Sequence, residues 1–264
     1  MLKSRSEATR HASSISSDDL EAVLTALKCR VISVQVEELG IIEDIEYAWE
    51  ANKYEPQQQE EYLQALENKV QLPNHLCWLR ASLLKTGMSA GGAELPFPLG
   101  CKTDECIVVR TSQIDAEAST TCTIEVKRHV VKQSLPQAQT QFVCASLKSS
   151  LPVISTLTDM TSVGVAYYTT GEKAPDGWTI ITQRFFATAR GMMQFLGAAM
   201  RSIQPDILRP DGDGNFNLPS VLPEPKRRRL PTPALSHTTT LQRMNLLQQV
   251  VDGNMDVADL ADFD

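Results

Sequence analysis

Apolar residues recur at helical spacing in some parts of the chain and alternate with polar ones in others, and the change of period marks its elements. Leu20, Val23, Leu24 and Leu27 share one helix face. Asp18, Asp19 and Glu21 add first-turn acids that favour a helix N-terminus, so a helix is predicted from Ser17. Residues 30–37 (RVISVQVE) alternate as a short strand. Tyr62, Leu63 and Leu66, then Leu76, Leu79, Leu83 and Leu84, predict two helices on either side of Pro73. Residues 45–49 are assigned to neither class, and 88–98 (MSAGGAELPFP) form a Gly/Pro-rich loop.

The texture then changes. Residues 104–111 (DECIVVRT) and 120–128 (TTCTIEVKR) read as strands joined by the polar SQIDAEAS, which predicts an antiparallel hairpin. A helix opens at Pro136, a residue tolerated in a first turn, and runs to about Ser149. VISTLTD, SVGVAYYTT and WTIITQRFF are three more strands, separated by turn formers such as Pro175-Asp176-Gly177. A closing helix spans roughly 187–203. Helices, hairpin, helix, strands and helix in that order predict an α/β protein: a mixed sheet flanked by helices.

The ends read differently. The Ser/Arg-rich residues 1–16 are expected to be a disordered leader, and prolines at 205, 210, 219, 223, 225, 231 and 233 mark a disordered tail over 205–264. One domain, 17–204, remains. A hydrophobic fraction of 42% over 264 residues is enough to build a core. The net charge of -7 argues against a generally basic nucleic-acid coat and leaves room for a local basic cleft. Six cysteines without a C-x-x-C, and with no histidine at zinc-ligand spacing, read as reduced thiols, several of them buried. No apolar run approaches the ~18 residues of a membrane helix, so no membrane partner is expected.

Candidate chemistry lies in the hairpin. Ile124 and Val126 flank Glu125, so period-two alternation puts Glu125 and Lys127 on one strand face and the apolar pair on the other. Asp104 opens the partner strand. Two carboxylates and an ammonium would then converge, and a hard divalent cation prefers such oxygen ligands while the lysine orients water or offsets phosphate charge. An amphipathic strand with surface charges explains an isolated E-x-K equally simply. Context decides between them. Thr103-Asp104, Glu125-Val126-Lys127 and the helix bearing Gln137, Gln139 and Gln141 follow one another.

This order resembles the PD-(D/E)xK nuclease superfamily, whose restriction-endonuclease-like core runs helix, strand meander, helix, strand. The resemblance implies that Asp104 and Glu125 hold Mg2+ or Mn2+ and that Lys127 positions the attacking water or neutralises charge. It also implies that a glutamine, Gln141 or Gln137 one turn earlier, contacts substrate or water. Thr103 stands where the family usually has proline. A further acid from a preceding helix is often present, with Glu60, Glu61 and Glu67 as candidates. IEVKR, the Gln-rich helix and PVISTLTDMTSVGVAYYTT together are similar to the nuclease-type C-terminal domain of Crinkler-like proteins, over about residues 95–200. No G-x-x-x-x-G-K-[ST] phosphate loop accompanies it.

Other polar residues are read more plainly. Asp159, at a strand end, is a turn former in the first instance. Arg128, His129 and Lys132 extend positive charge past Glu125 and would grip phosphates or simply be solvated. Asp115 and Glu117 lie in the hairpin connection, away from the proposed site.

In the tail, Lys226, Arg227, Arg228 and Arg229 sit between prolines, a pattern that fits the groove of a nuclear import receptor. Leu241, Met244, Leu246, Leu247, Val250 and Val251 would make a short amphipathic helix. The closing DVADLADFD alternates acids with apolar residues, as partner-docking segments do. The expectation is a nuclear metal-dependent nuclease, DNA favoured, made in the cytoplasm and imported, or acting in a host nucleus if the protein is a secreted effector. The rival expectation is a catalytically inert nuclease-like scaffold, a nuclear interaction protein or transcription-related effector that recruits partners through its tail.

Overall fold

The computed structural model describes residues 8–35, 47–80, 88–91, 95–111 and 116–203. Met1–Lys226 and Arg227–Asp264 separate as two units, and every described residue belongs to the first. The import cluster, the amphipathic tail segment and the acidic end fall outside the described residues.

In chain order the elements are β1 (Arg10–His11), α1 (Ser17–Ala26), β2 (Cys29–Gln35), α2 (Gln59–Lys69), β3 (Leu76–Arg80), β4 (Met88–Ala90) and β5 (Leu99–Cys101). There follow β6 (Glu105–Val109), α3 (Ala116–Ser119), β7 (Thr120–Val126), α4 (Ser134–Lys148), β8 (Ile154–Thr158), β9 (Gly164–Tyr168), β10 (Thr179–Phe186) and α5 (Ala189–Ser202). Seven strands form one mixed sheet in the order β2-β10-β9-β8-β7-β6-β3. Three short strands, β1-β5-β4, make a second sheet.

The expected mixed sheet between helices is therefore present. On one face α4 and α1 pack with the small sheet in a core that includes Leu20, Val23, Leu99, Phe142, Leu157 and Tyr167. On the other, α2 and α5 pack through Tyr62, Leu63, Leu66, Met192, Leu196 and Met200. Period-two alternation delivers side chains to both. Along β6, Cys106 and Val108 enter the first core while Ile107 and Val109 enter the second.

α1 begins where its first-turn acids predict, with the Ser16 side chain accepting from the Asp19 N–H at 3.0 Å. β6 and β7 pair antiparallel, as the hairpin reading requires, and β7 then pairs parallel with β8 across the α4 crossover.

Three expectations change. Leu76–Arg80 is a strand, not part of a second helix after Pro73. Leu76 and Leu79 fit a helical face, but Leu76 and Trp78 enter one core while Cys77 and Leu79 enter the other, and five residues pair with β6. In so short a run, strand pairing satisfies the backbone and tertiary context decides. Leu83 and Leu84 lie outside the described residues. The Gly/Pro-rich loop opens with β4, which pairs antiparallel with β5 just beyond the loop's end. Part of the expected leader is structured: β1 pairs parallel with β5, and Ala12 is buried in the first core.

Gly164 opens β9 directly beneath α5. A Cβ there would lie 2.4 Å from the Met192 Cβ, inside any real contact, so α5 would have to shift. Gly164→Ala should destabilise the domain by about 1–3 kcal/mol, measured by denaturant unfolding.

Candidate functional site

β7 is rich in β-branched residues and buried along its whole length. Ile124 and Val126 point into the α2/α5 core, which leaves Glu125 on the α4 face with only 4% of its surface exposed. The start of β6 is fastened around it. The Asp104 N–H donates to the Ile124 carbonyl at 3.0 Å, and the Asp104 carboxylate accepts from the Val126 N–H at 2.8 Å. The two bonds bracket Glu125. Thr103 adds a third link, its hydroxyl donating to the same Ile124 carbonyl, which the proline usual in the resembled family could not do.

α4 supplies the ceiling. Gln137 and Gln141 stand one turn apart, and both donate to Glu125: Gln137 Nε2 to Oε1 at 2.5 Å and Gln141 Nε2 to Oε2 at 2.6 Å. Gln141 Nε2 also donates to the Lys102 carbonyl at 2.6 Å, tying the helix to the segment that carries Asp104. Lys127 Nζ reaches Glu125 Oε1 at 2.7 Å. Asp104, Glu125, Lys127, Gln137 and Gln141 are thus brought together.

The helical side of the site is different from the expectation. Glu60 and Glu67 pair with Arg80, at 3.4 and 2.6 Å, and Glu61 meets Tyr47 and Lys53. Three other residues face the site. Gln59 Nε2 donates to Asp104 Oδ1 at 3.0 Å, and Tyr62 is buried beside the site, where burial first and then the Asp104, Glu55 and Glu125 charges push its hydroxyl pKa up. Glu55 accepts from the Arg128 N–H at 2.8 Å and lies 3.5 Å from Lys127. Positions 55, 59 and 62 are spaced four and three apart, so their common face was readable in the sequence once the helix start was set at Glu55-Pro56.

Asp159 is a turn former. Its Oδ1 accepts from the backbone N–H groups of Thr161, Ser162 and Val163, its Oδ2 from the Ser162 hydroxyl, and these bonds outweigh burial to hold its carboxyl below the usual range. Glu117 pairs with Lys148 at 3.6 Å, away from Asp104. All six cysteines are buried thiols outside any disulfide.

Charge is crowded at the site. Burial first, then the neighbouring Glu125 and Glu55 charges, push the Asp104 carboxyl up to about 7 against the opposing Val126 N–H and Lys127. Burial opposes protonation of Lys127, but the Glu125 charge and hydrogen bond, helped by Glu55 and Asp104, outweigh it and raise its pKa. Lys127 is therefore an ammonium at neutral pH.

The Asp104 shift has a sign. An acid that ionises near 3.9 when unfolded and about 7 when folded binds more protons in the native state between those values. The metal-free protein should lose stability as pH rises from about 4 through 7. Asp104→Asn should flatten that decline, and added Mg2+ should reverse it in the unsubstituted protein; thermal unfolding at pH 5 and 8 reads both.

The donor set fits a hard divalent cation. A carboxylate has about four acceptor positions. Asp104 meets two protein donors (Gln59 and the Val126 N–H), and Glu125 meets three (Gln137, Gln141 and Lys127). About two positions stay open on Asp104 and about one on Glu125. Buried Gln141 Oε1 has no protein partner, so the site also holds an unmet acceptor. No group of three or more His, Cys, Asp or Glu side chains able to hold a metal stands among the described residues. A cation here would rest on two carboxylates and keep several waters, a mode that suits Mg2+.

The chain matches no family model, no curated protein and no solved structure.

Proposed function

We propose that the domain is a metal-dependent phosphodiesterase of PD-(D/E)xK type that hydrolyses nucleic acid, DNA favoured, in the nucleus. The observation that carries this reading is the pairing of two crowded carboxylates, Asp104 and Glu125, with the Lys127 ammonium and two glutamine donors on one strand end. Topology supports it. α2, the meander β3-β6-β7, α4 and the parallel strand β8 follow the order helix, meander, helix, strand that the resemblance implies.

Asp104 and Glu125 would hold Mg2+ or Mn2+. Such an ion supplies Lewis-acid polarisation of the phosphate and a more acidic water. The protein's own groups do the rest. Gln137 and Gln141 fix the Glu125 carboxylate from above, and Gln59 and the Val126 N–H fix Asp104 from the side. Lys127, kept protonated, offers charge and proton donors to the phosphate oxygens or to the attacking water. A protonated amine cannot take the water's proton, so its role is positioning and electrostatic.

The test is direct. Purified full-length protein, given single- and double-stranded DNA and RNA with Mg2+ or Mn2+, should cleave at least one of them and stop on chelation. Intact substrate in every combination overturns the enzymatic reading.

One observation favours the rival reading. Both carboxylates are already held by protein donors, two on Asp104 and three on Glu125, as expected of a buried polar network kept for structure. A nuclear interaction protein built on this scaffold would bind its partners through its tail with or without metal, and Asp104 substitutions would leave that binding unchanged.

A further inference from the structure

Tyr54 is the most exposed large apolar side chain among the described residues, with 78% of its surface accessible, and it directly precedes Glu55, which meets Lys127 at the candidate site. Its backbone is fixed on both sides. Glu55, the next residue, grips the Arg128 N–H and faces Lys127, while the preceding Lys53 carbonyl accepts from the Arg128 guanidinium at 3.3 Å. The Tyr54 N–H donates to Gln57 Oε1 at 2.8 Å.

The loop leading into it is equally anchored. Gln58 is fully buried, accepts from the Glu50 N–H and donates to the Glu50 and Lys53 carbonyls. Tyr47 and Trp49 pack edge-on with rings 5.1 Å apart, Trp49 meets Tyr62 at 5.1 Å, and Trp49 Nε1 donates to the Asp159 carbonyl. This build presents an aromatic ring in water on rigid backbone, which burial alone does not explain.

The surroundings identify what the ring would take. Lys127 and Arg128 lie at the foot of the Tyr54 segment, and His129, Val131 and Lys132 continue as an exposed stretch. Lys53 is already paired with Glu50 and Glu61, and Lys127 with Glu55 and Glu125, so the net positive charge here comes from Arg128 and Lys132. A basic strand end beside an exposed aromatic is the combination that binds single-stranded nucleic acid, where phosphates follow the cations and a base stacks on the ring. Paired bases in a duplex have both faces covered and cannot use such a platform.

We propose that Tyr54 stacks a base of a single-stranded nucleic acid whose backbone passes Lys127 and Arg128 to the Asp104–Glu125 pair. This rests on the nucleic-acid reading above and narrows it to substrates with unpaired bases near the cut.

The experiment uses full-length protein, Ca2+ in place of Mg2+ to prevent turnover, and labelled single-stranded and duplex DNA of one sequence. Moderate salt weakens nonspecific attraction to the basic cluster Lys226–Arg229. Tyr54→Ala should weaken single-strand binding by about tenfold and leave duplex binding within about twofold, while Tyr54→Phe, which keeps the ring, should bind like the unsubstituted protein. Unchanged single-strand binding by Tyr54→Ala, equal losses on both DNAs, or no binding by any form overturns the proposal. Cleavage in Mg2+ is scored separately. Tyr54-dependent binding without cleavage rejects only the enzymatic reading, and cleavage with Tyr54-independent binding rejects only this one.

Discussion

Asp104→Ala should lower Mg2+-dependent cleavage by about a thousandfold or more, equivalent to roughly 4 kcal/mol of barrier. The change removes one of the two carboxylates that would hold the ion. The remaining Glu125 is already engaged by Gln137, Gln141 and Lys127, so it cannot take over a second carboxylate's share. Loss of folding is not the cause expected. Asp104 is an acid whose ionised form is disfavoured by burial and by Glu125, so its removal relieves repulsion even as it frees the donors of Gln59 and Val126. Unfolding curves at pH 8 should show Asp104→Ala close to the unsubstituted protein. A variant that cleaves at more than about a tenth of the original rate would show that Asp104 carries no metal.

Phe142→Ala should cost about 3–5 kcal/mol of stability, the largest effect expected of any single core change. Phe142 is fully buried and belongs to the core between α4 and the sheet. It follows Gln141 directly, so the cavity left behind loosens the helix that positions both glutamines over Glu125. Denaturant midpoint should fall while the slope stays near its original value, the sign of lost packing without a change in the unfolded state. Cleavage should fall as well, more than the folded fraction accounts for, because Glu125 loses its fixed orientation.

Much of this architecture is carried by local pattern. The acids ahead of Leu20 and Val23 place α1, and alternation in IEV puts Glu125 opposite the apolar pair Ile124 and Val126. The polar connection between two apolar runs gives the β6–β7 hairpin. The four-residue spacing of Gln137 and Gln141 puts both on one helix face, but that this face meets Glu125, rather than the substrate or water the resemblance implies, comes from the packing of α4.

What local pattern misses depends on distant partners. Leu76–Arg80 is a strand because β6 pairs with it, and β5 is one because it pairs parallel with residues 10 and 11 on one side and antiparallel with β4 on the other. Leu76 and Leu79 alone satisfy helix and strand equally. At the site, the acids with the best helical context, Glu60 and Glu67, turn to Arg80, a residue whose position depends on that same unforeseen strand. The groups that do meet the site, Glu55, Gln59 and Tyr62, were hidden because one is neutral, one aromatic and one precedes the helix proper.

The central claim is that Asp104 and Glu125 share a divalent cation. Crystals of the full-length protein soaked in Mn2+ and measured at the manganese absorption edge test it most directly. The account predicts a single anomalous peak at metal–oxygen bonding distance, about 2.0–2.2 Å, from one oxygen of each carboxylate, absent in Asp104→Ala. Full Mn2+ exposure with no peak between the two carboxylates, and Asp104 still bonded to Gln59 and the Val126 N–H as in the metal-free protein, would contradict it.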